Sequence, residues 1–130
     1  MKISTKGRYA LRVMIYLAIN NNGTYITTKE IAKNEQISNK YLEQIISLLN
    51  KAGYLDNKRG NTGGYRLSKK PKDYKVGDIL RATEGDLSPL YCIKEGCNRK
   101  TKCKSYSFWK GLDDTITRYV DSKTLEDLIN

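Results

Sequence analysis

Two sets of residues in this 130-residue chain have types and spacing that could do chemistry. The first is Cys92-x4-Cys97-x5-Cys103, crowded by Lys94, Arg99, Lys100, Lys102 and Lys104 against a single acid, Glu95. Positive charge lowers the pKa of a thiol and offsets an anionic metal centre. Cys103 also lies just ahead of an expected helix, whose N-terminus favours a thiolate. The spacing lacks the paired C-x2-C units, and the fourth Cys or His, of a closed tetrahedral zinc site. It suits a loop wrapped around an iron–sulfur core, where thiolates are the usual ligands. Cluster-free thiol sensing ranks second and zinc third, and cysteines with no role remain the alternative. With no histidine, no C-x2-C pair and no clustered carboxylates, no catalytic constellation is found, and the chain reads as a non-enzyme.

The second set lies on Ser38–Lys51. At about 100° per residue, Leu42, Ile45, Ile46 and Leu49 share one side and Lys40, Glu43, Gln44, Ser47 and Lys51 the other. Ser38 is a good N-cap, and Gly53 stands where a glycine would end the helix. Alone, this is an ordinary surface helix. Its neighbours change that reading.

Residues 4–19 form a first helix, with Ala10, Val13, Met14, Leu17 and Ala18 as its inner stripe and Leu11, Ile15 and Ile19 widening it. So broad an apolar surface suits a helix buried on more than one side. Lys2, Lys6, Arg8 and Tyr9 at its start could meet phosphates. Residues 20–23 turn, and Thr27-Thr-Lys-Glu30 reads as a capping box opening a short helix. Residues 34–36 break it before Ser38. A short helix, a tight turn and a polar-faced helix make a helix-turn-helix.

Residues 54–59 then read as a strand, 60–64 as a glycine-rich loop and 65–67 as the returning strand. Carrying Lys58, Arg59 and Arg66, this hairpin is a basic wing, and the combination points to DNA rather than generic packing. Val76, Ile79 and Leu80 mark a helix ending near Glu84-Gly85, followed by an extended stretch at 87–90 and the cysteine loop. From about Ser105 a long helix runs to Val120. Its Trp109, Leu112, Ile116 and Tyr119 form the narrow stripe of a two-helix seam, which suits a homodimer. Thr124 and Asp127 cap a last short helix with Leu125, Leu128 and Ile129. The fold class is therefore mostly α with a small β-hairpin wing. Residues 1–85 form a winged helix-turn-helix domain, 86–104 a cysteine sensor loop, and 105–130 a dimerisation helix with a cap helix.

Charge agrees with this division. Residues 1–81 hold 16 Lys and Arg against 6 Asp and Glu, whereas residues 82–130 balance at 8 and 8. A positive field confined to one part suggests a polyanion partner. No run of 18 apolar residues spans a membrane, and the basic start lacks a secretion-type apolar stretch, so the expected compartment is cytoplasmic.

The chain resembles the winged-helix bacterial regulators of the IscR/NsrR/CymR family. The resemblance covers essentially the whole chain. It rests on Lys2-Ile-Ser-Thr-Lys-Gly-Arg-Tyr9, Tyr41-Leu-Glu-Gln44, Arg59-Gly60 with Gly63-Gly-Tyr65, Gly77-Asp-Ile79 with Glu84-Gly85, and the cysteine loop before Trp109. It implies a homodimer, joined by the long C-terminal helix, that binds a pseudo-palindromic double-stranded DNA operator and acts as a repressor.

The resemblance also implies residue roles. Lys40, Tyr41, Glu43 and Gln44 would face the major groove on a helix started by Ser38. There a glutamate can accept from cytosine N4 and a glutamine can pair with adenine. Arg59 and Gly60 would enter or flank the minor groove, and Lys6, Tyr9 and Thr28 would hold phosphates. Cys92, Cys97 and Cys103 would ligate a [2Fe-2S] cluster reporting iron–sulfur, redox or nitric oxide status. One branch of the family supplies a fourth ligand as a histidine three residues after the third cysteine. Tyr106 stands there in this chain, and Arg8 occupies the region where other members have an acid. The fourth ligand is unassigned among Tyr106, Ser105, Glu84, Asp86 and a small thiol. The alternative within the same fold is a cluster-free, CymR-like regulator of cysteine metabolism, controlled by a partner enzyme or by thiol oxidation.

Overall fold

The computed structural model describes residues 2–96 and 98–130. The first three helices start where side-chain oxygens meet the free amides of the first turn. Helix α1 (Thr5–Ile19) follows Ser4, whose hydroxyl accepts from the Gly7 amide at 3.1 Å. Helix α2 (Thr28–Glu35) follows Thr27, which accepts from the Glu30 amide at 3.1 Å. Helix α3 (Asn39–Lys51) follows Ser38, which accepts from the Tyr41 amide at 3.2 Å. The expected capping box of α2 is only half made. Instead of turning back to Thr27, the Glu30 carboxylate accepts from the Tyr16 hydroxyl at 2.9 Å and ties α2 to α1. The bend between α2 and α3 passes through Gln36 at φ 56°, a left-handed position that costs a residue with a side chain roughly 1–2 kcal/mol. Buried Ile37 beside it fixes the bend.

The wing is strands β1 (Leu55–Lys58) and β2 (Gly64–Leu67), antiparallel with Leu55 opposite Leu67 and Lys58 opposite Gly64. The second strand begins at Gly64, which the sequence pattern assigned to the loop. A third segment joins the ladder: Ile26 and Tyr65 exchange backbone hydrogen bonds of 2.8 and 2.7 Å. Gly64 lies so close to the Ile26 carbonyl that no β-carbon fits, and its φ is +139°.

After a single 3-10 turn at Pro71–Asp73 come helix α4 (Val76–Glu84), the five-residue helix α5 (Tyr91–Glu95), the long helix α6 (Tyr106–Ser122) and the terminal helix α7 (Leu125–Ile129). The expected stripes of α1 and α3 are the core. Ala10, Val13, Met14, Leu42, Ile45 and Leu49 are fully enclosed together with Ile31 and Ile79. Leu125 of α7 is equally enclosed in this core, although it follows α6 in sequence. Backbone bonds from Val76 to Lys123 and from Leu125 to Tyr74, both 2.9 Å, hold that return.

Helix α6 buries none of its own residues. Its anchor is at its end. Gly77 on α4 leaves no room for a β-carbon beneath Asp121 and Val120. Arg81 grips Asp121 through two bonds, Nη1–Oδ1 at 2.9 Å and Nη2–Oδ2 at 3.0 Å. The Arg81 guanidinium holds the Asp121 carboxyl below the usual aspartate range. This contribution to stability is present above the unfolded-state value of 3.8 and is lost as pH falls through the lower folded value.

Asp121→Asn should therefore cost about 1 kcal/mol near pH 7, measured by urea unfolding. The gap to wild type should close as pH drops below the ordinary aspartate range. A gap independent of pH would assign the effect to packing and not to the ion pair.

Candidate nucleic-acid interface and cysteine segment

On the face of α3 opposite the core, Lys40, Glu43, Gln44 and Ser47 are all exposed. Lys6, in the first turn of α1, lines one shallow hollow with Lys40, Glu43, Gln44 and Ser47. On the other side of Glu43, a second groove runs to the wing and is lined by Thr28, Asn50, Asn57, Lys58, Arg59 and Gly60. Lys6, Thr28, Lys40, Glu43, Gln44, Arg59 and Gly60, separated by up to 54 positions in sequence, thus share one surface. Glu43 is the acid common to both hollows, whose linings also include the cations Lys6, Lys40, Lys58 and Arg59.

Three other expected contacts have structural partners. Ser38 spends its side chain as the α3 cap. Tyr9 and Tyr41 pack edge to face with ring centres 5.9 Å apart, which links the start of α1 to the start of α3. Arg12 lies 4.9 Å from the Tyr9 ring and donates to the Glu35 carboxylate at 3.2 Å, so it braces α1 against α2. Arg66, one of the wing cations, is a strut. It stacks 4.4 Å from the Tyr25 ring, donates to the Gly23 carbonyl at 2.9 Å and lies 3.7 Å from Asp56. Lys58 and Arg59 remain as exposed cations of the hairpin.

Asn50 and Asn57 were not singled out by pattern. They face each other across the groove, Asn57 Nδ2 to Asn50 Oδ1 at 3.5 Å, one from the last turn of α3 and one from β1. Their signal in the sequence was weak. Asn50 falls at the edge of the polar arc, and a polar residue in a short strand is ordinary.

The cysteines are not all in a loop. Cys92 is half-buried on α5, whose first turn is closed by the Ile93 amide on the Leu90 carbonyl. Cys103 is exposed in the turns ahead of α6. Cys97 lies outside the described residues. The Ser105 hydroxyl sits 3.3 Å from Cys103 Sγ and, with the Ser105 backbone, holds that thiol below its usual range. Among the described residues, no three Cys, Asp, Glu or His side chains gather into a metal site. In kind the donors fit an iron–sulfur group, since two described thiols flank the segment and one is biased toward thiolate. Of the candidate fourth ligands, Glu84 is already engaged, its Oε1 accepting from both the amide and the hydroxyl of Ser4. The Tyr106 ring has Lys100 Nζ at 5.3 Å from its centre. No described helix is long and apolar enough to cross a membrane.

Comparison with known proteins agrees with this geometry. The profile of the Rrf2 family, described as an iron-dependent transcriptional regulator, matches residues 3–130. The transcriptional regulator IscR of Aliivibrio salmonicida is 35% identical over 130 residues, covering 99% of this chain and 77% of that protein. Among solved structures, CymR, the global cysteine regulator of Bacillus subtilis, superposes with a TM-score of 0.84 at 39% identity, covering 99% of this chain and 96% of that one. IscR of T. potens superposes at 0.77 with 36% identity, covering 99% and 86%.

The Cys103 environment generates a direct test. At pH 7 Cys103 should be alkylated by iodoacetamide faster than Cys92, because it is exposed and its thiolate is favoured. Ser105→Ala should slow Cys103 toward an ordinary thiol, read by mass spectrometry of timed digests. Equal rates in both proteins would remove Ser105 as the cause.

Proposed function

This chain belongs to the Rrf2 family of transcriptional regulators, a non-enzymatic class, and from that premise we propose a homodimeric repressor whose cysteine segment carries its signal. In this reading α3 enters the major groove of an operator, with Glu43 and Gln44 selecting bases and Lys40 bridging to bases or phosphate. Arg59 and Gly60 of the wing approach the minor groove, while Lys6, Tyr9 and Thr28 hold phosphates. The exposed seam of α6 supports the dimer: Phe108 and Tyr119 are each 65% exposed, and Trp109, Leu112 and Ile116 are only half-covered. Two recognition helices then meet half-sites one DNA turn apart, about 34–36 Å, so a small change in their relation alters affinity.

Cys92, Cys97 and Cys103 would hold a [2Fe-2S] cluster, which when bound supplies sensitivity to oxidation and nitric oxide. The observation that carries the coupling is position. The cysteine segment links the end of α4 to the start of α6, and α6 is clamped back onto α4 by Arg81 and Asp121. A second reading, thiol or partner-enzyme control without a cluster, draws support from two facts. The chain has no histidine, and Glu84 is committed to Ser4.

Visible spectra of anaerobically purified protein separate the two readings. Red-brown absorbance that is lost in Cys97→Ala supports the cluster. Colourless protein that co-purifies with an enzyme of cysteine synthesis supports the alternative. Operator affinity measured on loaded and apo protein tests the coupling, and equal affinity with identical site preference would sink it. For the reading face, Glu43→Ala should relax base preference. Lys6→Ala should weaken all duplexes alike and lower the salt slope by about 1. Uniform loss from both variants would remove the base-reading role.

A further inference from the structure

We infer that Glu84 is a positioning residue for DNA binding: its carboxylate latches the first turn of α1 so that Lys6 and Tyr9 stand where phosphate lies. The inference rests on the proposed operator-binding reading and adds a residue that touches no DNA. Glu84 is the last residue of α4, and Ser4 is the N-cap of α1, 80 positions away. One oxygen, Oε1, accepts from both the Ser4 amide, at 2.9 Å, and the Ser4 hydroxyl. That hydroxyl in turn accepts from the Gly7 amide. The carboxylate thus completes the cap from outside, at the end of the helix where negative charge is favoured. Gly7 is what lets it in, because a β-carbon there would strike the Glu84 carboxylate.

A plain stability role does not account for this arrangement. From Ala10 to Ala18, α1 is held by its own buried stripe. Residues 2–5 are exposed, and the buried residue of the first turn, Gly7, has the Glu84 side chain against it. Lys6 is in that turn and faces the hollow it shares with Lys40 and Gln44 of α3. Tyr9 follows one turn later, against Tyr41. Loss of the latch frays the first turn and releases Lys6, while the core and α3 stay in place. The latch also sits where α4 stops at Gly85, φ +76°, the point from which the cysteine segment leaves the fold.

The test uses Glu84→Ala, Glu84→Gln, Lys6→Ala and Gln44→Ala in the full chain, with operator duplex titrated at several salt concentrations. Glu84→Ala should weaken binding on the order of tenfold and lower the salt slope by about 1–2, as lost phosphate contacts require. Glu84→Gln keeps the oxygen acceptor and should stay within about twofold of wild type. In the Glu84→Ala background, Lys6→Ala should cost little more, whereas Gln44→Ala should cost the same in both backgrounds. Full, additive Lys6 cost in the absence of Glu84 overturns the inference. Amide hydrogen exchange without DNA reads the latch by itself. Faster exchange at residues 6–8 in Glu84→Ala, with residues 13–17 unchanged, supports it, and unchanged exchange at 6–8 overturns it. Wild-type protein that binds no duplex while Glu84→Ala still loosens residues 6–8 refutes the operator reading and leaves the latch standing.

Discussion

Helix α4 is nine residues long, yet both ends of the molecule are fastened to it. Each fastening uses the same device, a glycine that lets two helices approach and a carboxylate that closes the contact. At Gly7 the carboxylate is Glu84, gripping the cap of α1, and at Gly77 it is Asp121, gripped by Arg81. A β-carbon at either glycine would strike the carboxylate that closes the contact, so that side chain would have to move out of its hydrogen-bonded position. Ile79 and Leu80 between them supply the apolar contact. The start of α1 and the end of α6 therefore answer to one short helix. Of the motifs that carry much of the family resemblance, Lys6-Gly-Arg8 supplies one close-contact glycine, Gly77-Asp-Ile79 the other, and Glu84-Gly85 one of the two carboxylates.

The proposed reading surface draws on that frame as well as on α3. Alone, α3 offers one row of exposed polar side chains, Lys40, Glu43, Gln44 and Ser47. The first turn of α1 and the wing widen the arc on either side. The wing is only two strands of four residues, and an isolated hairpin of that size is marginal in water. The exchange of hydrogen bonds between Ile26 and Tyr65 anchors it to the segment before α2. Arg66 adds a brace through Tyr25 and Gly23, and the Asn50–Asn57 contact faces α3. A cation taken from the wing's apparent charge is thus used to stiffen the hairpin that presents the others.

Most of the fold was legible in the sequence because its signals are local. Apolar spacing placed α1, α3 and α4, while Thr27, Ser38 and Thr124 marked helix starts with side-chain oxygens that do cap them. What escaped depends on partners distant in the chain. The third rung at Ile26 is two residues with no strand-length pattern, created only when Tyr65 arrives. Glu30 looked like a capping-box acid until Tyr16 competed for it. The left-handed Gln36 has no glycine to announce it, since burial of Ile37 sets the bend. For the site, residue types on α3 and the wing were readable. Glu84 was readable only as a helix-end motif residue and a candidate iron ligand, because its contact with Ser4 joins positions 80 apart and leaves no local signal.

The cysteine segment tests a different kind of inference. Spacing and charge argue for thiolates, whereas what holds the Cys103 thiol below its usual range is chiefly Ser105, a neighbour two residues away, with Arg99 contributing least. The family likeness adds iron, yet the chain offers no histidine, and one oxygen of Glu84 already serves Ser4. Recruiting Glu84 through Oε1 would mean breaking the Ser4 latch, whereas Oε2 could serve a metal with the latch intact. In the first case metal and helix compete for one oxygen, and a ligand that favours the unlatched state shifts the equilibrium toward it. If another donor completes the site, that competition disappears and the segment must act on α6 alone. Which donor closes the site thus decides whether the signal enters through α1 or through α6.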